Sequence, residues 1–168
     1  VAIERILVPL DGSDLAEAAL ETALDILAEQ PTTTLVLVRA AEVAHSSGAG
    51  AADEQACDLR EAESYLNGVA AGLRECGITR VKTAVWRGPA APTIVEVAGT
   101  EKIDLIVMSS HGRGGVGRLV FGSVAESVLH GTRTPILLVR DVGAPVLPLR
   151  GATEVRSTGE TSEPVGPS

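Results

Sequence analysis

The sequence predicts an α/β domain in which a five-stranded parallel sheet is sandwiched by helices. Short aliphatic runs alternate with helix-period segments almost from end to end. Those runs are nearly continuous in their apolarity, as strands covered on both faces are. Gly, Pro and Asp punctuate the boundaries.

The first strand is residues 5–10 (RILVPL), closed by Asp11-Gly12-Ser13. A helix follows, capped by Ser13 or Asp14, with Ala16, Leu20, Leu24 and Leu27 on one face and Pro31 at its end. Residues 34–40 (TLVLVRA) form the second strand, and 45–53 read as a small, polar loop. The next helix spans about 54–76, with Leu59, Ala62, Leu66, Val69 and Leu73 along its buried stripe and Gly77 as the stop. Residues 80–87 alternate like a strand, Gly88-Pro89 break it, and a short helix over about 92–99 carries Ile94 and Val97 inward. Strand 103–108, a glycine-rich loop, helix 123–132 and strand 135–140 complete the pattern. Residues 1–141 thus read as one domain. Residues 142–168, rich in Pro, Gly, Ser, Thr and Glu without a period, read as a disordered tail.

Composition narrows the function. The 168 residues are 45% apolar, but only 2% aromatic, which leaves little for stacking on bases. A formal charge of -8 would repel a phosphate backbone, so nucleic acid is not an expected partner. No apolar run approaches the roughly 20 residues that span a bilayer, so no membrane partner is expected either. The first residues read as the lead into a strand rather than a signal peptide, and a soluble cytoplasmic protein is the default. Cys57 and Cys76 would lie roughly 28 Å apart along one helix, beyond the ~7 Å reach of a disulfide. They read as reduced thiols filling space, which suits a reducing compartment.

The segment 109–124 (SSHGRGGVGRLVFGSV) carries the chemistry. It runs from a strand through a glycine-rich loop into the start of a helix. Free N–H groups and the positive end of the helix dipole meet there, which is how an anion is cradled. Gly112, Gly114, Gly115, Gly117 and Gly122 allow close backbone approach. Arg113 and Arg118 are basic, and no carboxylate lies between Ser109 and Gly122. Ser123-Val124-Ala125-Glu126 has the form of a capping box. That role and a phosphate contact from Ser123 and the amides of Ser123 and Val124 are compatible. Asp11 is either a turn-forming residue or a carboxylate for a ribose hydroxyl or a divalent cation beside phosphates. If the first and fourth strands are neighbours, both loops open into one crevice at the switch point.

His111 reads as a packing or backbone-bonding residue, and Trp86 as a core residue. His45 and His130 carry no signal. There is no lysine-bearing P-loop, nucleophile elbow, H-E-x-x-H or C-x-x-C. With no strong catalytic base nominated, binding is better supported than turnover.

Three blocks, ILVPLDGS, RGPAAPTIVEVA and DLIVMSSHGRGGVGRLVFGSVAESVLHGTRTPILLVR, together resemble the universal stress protein family over about residues 3–141. The resemblance implies a Rossmann-like fold of the adenine nucleotide alpha hydrolase type. Nucleotide-binding members carry G-x2-G-x9-G-[ST], which aligns here as Ser109-x2-Gly112-x9-Gly122-Ser123, with serine replacing the first glycine. By motif position, Leu10, Asp11 and Gly12 would meet the ribose or triphosphate region, and Asp11 would hold Mg with ATP. Ala40 and Met108 would border adenine. Ser109, Gly112, Arg113, Gly114, Gly115, Gly122, Ser123 and Val124 would surround ribose and phosphates. The family implies binding of ATP, ADP or AMP with at most weak ATPase activity, and a homodimer through the last strand, 135–140. The alternatives are a dimeric interaction module of the same fold that binds no nucleotide, and an enzyme acting on an adenylated or phosphorylated small molecule.

Overall fold

A computed structural model describes residues 2–41, 51–110 and 122–140, with residues 51–54 described by backbone alone. The elements run β1 (Arg5–Pro9), α1 (Asp14–Glu29), β2 (Thr34–Ala41), α2 (Ala51–Glu75), β3 (Val81–Arg87), α3 (Ala90–Thr100), β4 (Leu105–Ser109), α4 (Ser123–Gly131) and β5 (Ile136–Val139). The strands form one parallel sheet in the order β3-β2-β1-β4-β5. The expected α/β architecture is therefore present, with β1 and β4 adjacent as the crevice argument requires.

Side-chain alternation along each strand builds two cores. Ile6 and Val8 of β1, Leu35 and Leu37 of β2, and Val107 of β4 face α1 and α2. Leu7, Val36, Val38, Ile106 and Met108 face α3 and α4. Both faces are apolar because both are covered, which is why the strands read as continuous runs. On α1, Ala16, Ala19, Leu20, Ala23 and Leu27 are buried, and the small alanines let the helix lie close on the sheet. Leu24 is only partly buried. On α2 the buried positions are Ala62, Leu66, Ala70 and Leu73, with Val69 partly buried and Leu59 intermediate. Trp86 is likewise partly buried, packed on the α3/α4 core.

Several boundaries differ from expectation for identifiable reasons. Helix α2 starts at Ala51, before the expected residue 54, because Ala51 and Ala52 are strong helix formers despite their small size. Residues 42–50, most of the expected loop, lie outside the described residues. Helix α3 starts at Ala90, so Pro92 sits in the first turn, where its missing N–H costs nothing. Strand β4 begins at Leu105, two residues late, although Ile103 is buried just before it. Gly77 closes α2 as expected, at φ +92°, with Ile78 N–H donating to the Leu73 carbonyl at 2.9 Å. The cysteines correct the reading that they fill space: both are free and exposed, on the solvent face of α2 and just past its end. The expected tail, 142–168, lies outside the described residues.

Candidate functional site

A cleft of about 660 Å³ opens over the carboxyl ends of β1, β2 and β4. Winding leaves β1 toward β2 and β3 on one side and toward β4 and β5 on the other, so the cleft sits where the strand order reverses. Its volume lies within the range of small-molecule and cofactor pockets. The cleft has two unlike sides. Val38, Ala40, Ile94, Met108 and Ala125 make an apolar wall toward α3 and α4. Asp11, Arg39, Asp58 and Glu61 make a charged wall toward α1 and α2.

Asp11 follows β1 and is held by its own turn. Its Oδ1 accepts the Ser13 N–H at 3.0 Å and the Ser13 hydroxyl at 2.6 Å, while Gly12 takes φ +80°. The turn-forming role is thus real. It engages only Oδ1, and Oδ2 has no hydrogen bond among the described residues. Ser13 is the cap of α1, its hydroxyl accepting from Ala16 N–H at 3.3 Å.

The β4–α4 junction differs from the capping-box expectation. Gly122 is the N-cap, with φ -56° and ψ 146°, and α4 has no side-chain cap. The Gly122 N–H donates to the Ser110 carbonyl at 2.7 Å, and its own carbonyl accepts from Glu126 at 3.0 Å. This pair of bonds places the half-in residue at 122, so Ser123 becomes the first helical residue and cannot cap. The amides of Ser123, Val124 and Ala125 fall in the first turn, where no helical acceptor exists. None of them donates to a described residue. All three residues line the cleft.

Of the positions singled out from sequence, Leu10, Asp11, Ala40, Met108, Ser109, Gly122, Ser123 and Val124 all line this one cleft. Gly12 lies in the adjoining turn. His111, Gly112, Arg113, Gly114, Gly115, Gly117 and Arg118 lie outside the described residues. Sequence reading missed Arg39, Asp58, Glu61 and Ser110. Arg39 did leave a signal, as a lone charge inside the apolar run TLVLVRA. Asp58 and Glu61 left none, because nothing in α2 says which of its turns reaches the crevice.

Arg39 is joined to α2 by an ion pair with Glu61 at 3.6 Å and by the Tyr65 ring, whose centroid lies 5.0 Å from its Cζ. Tyr65 donates to Glu17 at 3.4 Å. Burial, then the Glu17 carboxylate, push the Tyr65 phenol above its ordinary range, against the opposing pull of Arg39. Among the described residues no group of His, Cys, Asp and Glu is arranged to hold a metal ion.

A doubly wound α/β domain with a cleft at its switch point has the arrangement in which such folds hold ligands, and the first-turn amides of α4 beside it meet no acceptor among the described residues. The profile of the Universal stress protein family matches residues 2–140. The chain belongs to that family. It is 32% identical over 141 residues to a universal stress protein of Methanocaldococcus jannaschii, covering 82% of each chain. It is 33% identical over 148 residues to a universal stress protein A homolog of Coxiella burnetii, covering 84% of this chain and 97% of that one. Among solved structures, UspA from Lactobacillus plantarum superposes with TM-score 0.74 at 21% identity, over 83% of this chain and 99% of that one. A universal stress protein in complex with cAMP superposes at TM-score 0.57 and 25% identity, over 83% and 98%. An Arabidopsis thaliana family member with AMP bound shares the fold at TM-score 0.57 and 13% identity, over 82% and 91%.

Proposed function

We propose that this cleft binds an adenine nucleotide, ATP with Mg²⁺ or its AMP and ADP counterparts, and that the chain is a nucleotide-dependent stress-response regulator. The observation that carries this reading is the row of three amides at the start of α4 that meet no acceptor among the described residues, on residues lining the same cleft as Asp11. In this reading Ala40 and Met108 border the base, and Asp11, Ser109, Ser123 and Val124 meet ribose and phosphates. Gly12, Gly112, Arg113, Gly114 and Gly115 belong to the same proposed set. The cAMP and AMP complexes of related proteins support the ligand class.

Asp11 suits Mg²⁺ arriving with phosphates, since that ion keeps most of its waters and takes one or two carboxylates besides. It would supply charge neutralisation there. Hydrolysis is slow or absent in this account. The second reading, a dimeric interaction module without nucleotide, is favoured by Ser109 standing where the motif has glycine.

Calorimetry with ATP and Mg²⁺ separates the two readings. Saturable heat and a raised unfolding temperature are expected. Asp11→Ala should weaken binding by about tenfold through a lost charged hydrogen bond. No heat and no thermal stabilisation at millimolar ATP would leave the interaction module standing instead.

The proposed homodimer pairs through β5, an edge strand on which Leu137 is exposed. At the opposite edge, β3 carries exposed Lys82 and Arg87, which discourage pairing. Sedimentation equilibrium should give the mass of two 17.2 kDa chains; a single-chain mass at micromolar concentration refutes the dimer. A cytoplasmic setting completes the proposal. It is in keeping with two exposed free thiols, and among the described residues no helix is long and apolar enough to cross a membrane.

A further inference from the structure

β1 ends in a proline although it lies at the centre of the sheet. It has β2 on one side and β4 on the other, so the N–H of each of its residues belongs to one ladder or the other. Pro9 has no N–H to give, and proline is ordinarily confined to edge strands, strand starts and bulges.

The hydrogen bonds show which ladder loses a rung. Leu10 N–H donates to the Val38 carbonyl at 2.8 Å, so residue 10 bonds toward β2 and, by alternation along the strand, residue 9 faces β4. Ile106 N–H donates to the carbonyl of Pro135, just before β5, at 2.9 Å, and Ser110 N–H to that of Val139 at 2.8 Å. By the same alternation the Val107 carbonyl faces β1. Pairing of β1 with β4 covers Ile6 with Leu105 and Leu7 with Ile106, and stops there. The next rung needs an N–H at residue 9 on the Val107 carbonyl. The neighbouring seams are not cut short: β1 pairs with β2 as far as Pro9 and Val38, and β4 with β5 as far as Ser109 and Val139.

The ring does more than omit a bond. Its Cδ takes the place of the missing hydrogen, and a carbon stands about 3.3–3.6 Å from a carbonyl oxygen. An N–H would instead draw that oxygen to about 2.9 Å from the nitrogen. Pro9 is therefore a wedge in the β1–β4 seam, and its place in the fold gives the wedge a use. Leu7 and Ile106, the last paired residues, are fully buried. Pro9, Leu10 and Asp11 on one side of the seam, and Met108 and Ser109 on the other, line the cleft. Pairing stops where the cleft begins, so the wedge sets the spacing between two of the strand ends that frame it.

We propose that Pro9 is a positioning residue, which stops the β1–β4 ladder and so holds the switch-point seam at the width the cleft's ligand needs. The inference rests on the nucleotide reading above. Its test compares the full-length wild type with Pro9→Val and Pro9→Ala. Both variants restore the N–H opposite an acceptor already in register. Valine is a strong strand former and keeps much of the ring's bulk, whereas alanine does not. In both, NMR should detect a through-hydrogen-bond coupling between the residue 9 nitrogen and the Val107 carbonyl carbon. Calorimetry with ATP and Mg²⁺ should show both binding about tenfold more weakly than the wild type, the worth of one hydrogen bond lost from the ligand. A folded variant without the coupling refutes the wedge. Coupling with undiminished ATP affinity refutes the positioning role and leaves the nucleotide reading intact. A loss confined to Pro9→Ala is a lost apolar contact and refutes the role as well. If the wild type binds no ATP, the nucleotide reading falls and the role of Pro9 with it.

Discussion

Ser123→Pro is expected to cost ten- to a hundredfold in ATP affinity while leaving α4 folded. Proline is well tolerated at the first helical position, where its fixed φ suits the helix and its missing N–H had no helical partner. The preceding residue must be extended, and Gly122 already is, at φ -56° and ψ 146°. The substitution therefore removes the Ser123 hydroxyl and one of the three amides without an acceptor among the described residues, with little else disturbed. A hydrogen bond to a charged group is worth about 1.5–3 kcal/mol, which sets the expected loss. Ser123→Ala retains the amide and should lose less. Calorimetry with ATP reads the effect, and circular dichroism with thermal melting checks that the helix persists. Equal affinity for wild type and Ser123→Pro would remove the α4 amides from the account.

The second large effect falls on stability. Leu7 is fully buried on the central strand, between Val36 and Ile106 in register, and packs toward α3 and α4. Leu7→Ala should destabilise by about 2–5 kcal/mol, because its neighbours on both adjoining strands cannot close the cavity. Against a total stability of about 5–15 kcal/mol for a typical domain, that is a severe loss. Urea denaturation should show a lower midpoint with an unchanged slope. Only a small midpoint shift would mean the α3/α4 core is looser than its burial indicates.

Much of the fold was legible because both sheet faces are covered. A run such as ILVPL, residues 6–10, has no reason to be apolar at every position unless two layers of helix lie on it, and that points to a parallel sheet. Gly77 was legible because a positive-φ helix stop leaves a residue-level mark. Ser123 was misread for a physical reason. A capping box is a local pattern, but the start of α4 is set by a nonlocal bond, Gly122 N–H to the Ser110 carbonyl. The alanines at the start of α2 were passed over because small residues suit both loops and helices. In the cleft, the residues from β1, β4 and α4 were legible because motifs mark strand ends. The α2 wall was not, since its carboxylates look like those of any solvated helix face until the packing of α2 on β2 brings them beside Arg39.

The central claim is that the backbone amides opening α4 collect around a phosphate group. Amide-resolved NMR of isotope-labelled protein titrated with ATP and Mg²⁺ addresses it most directly. The resonances of Ser123, Val124 and Ala125 should move together, saturate, and shift downfield as hydrogen bonds form. If those three amides stay fixed at saturating ATP while resonances elsewhere respond, or if nothing in the chain responds, the account is wrong.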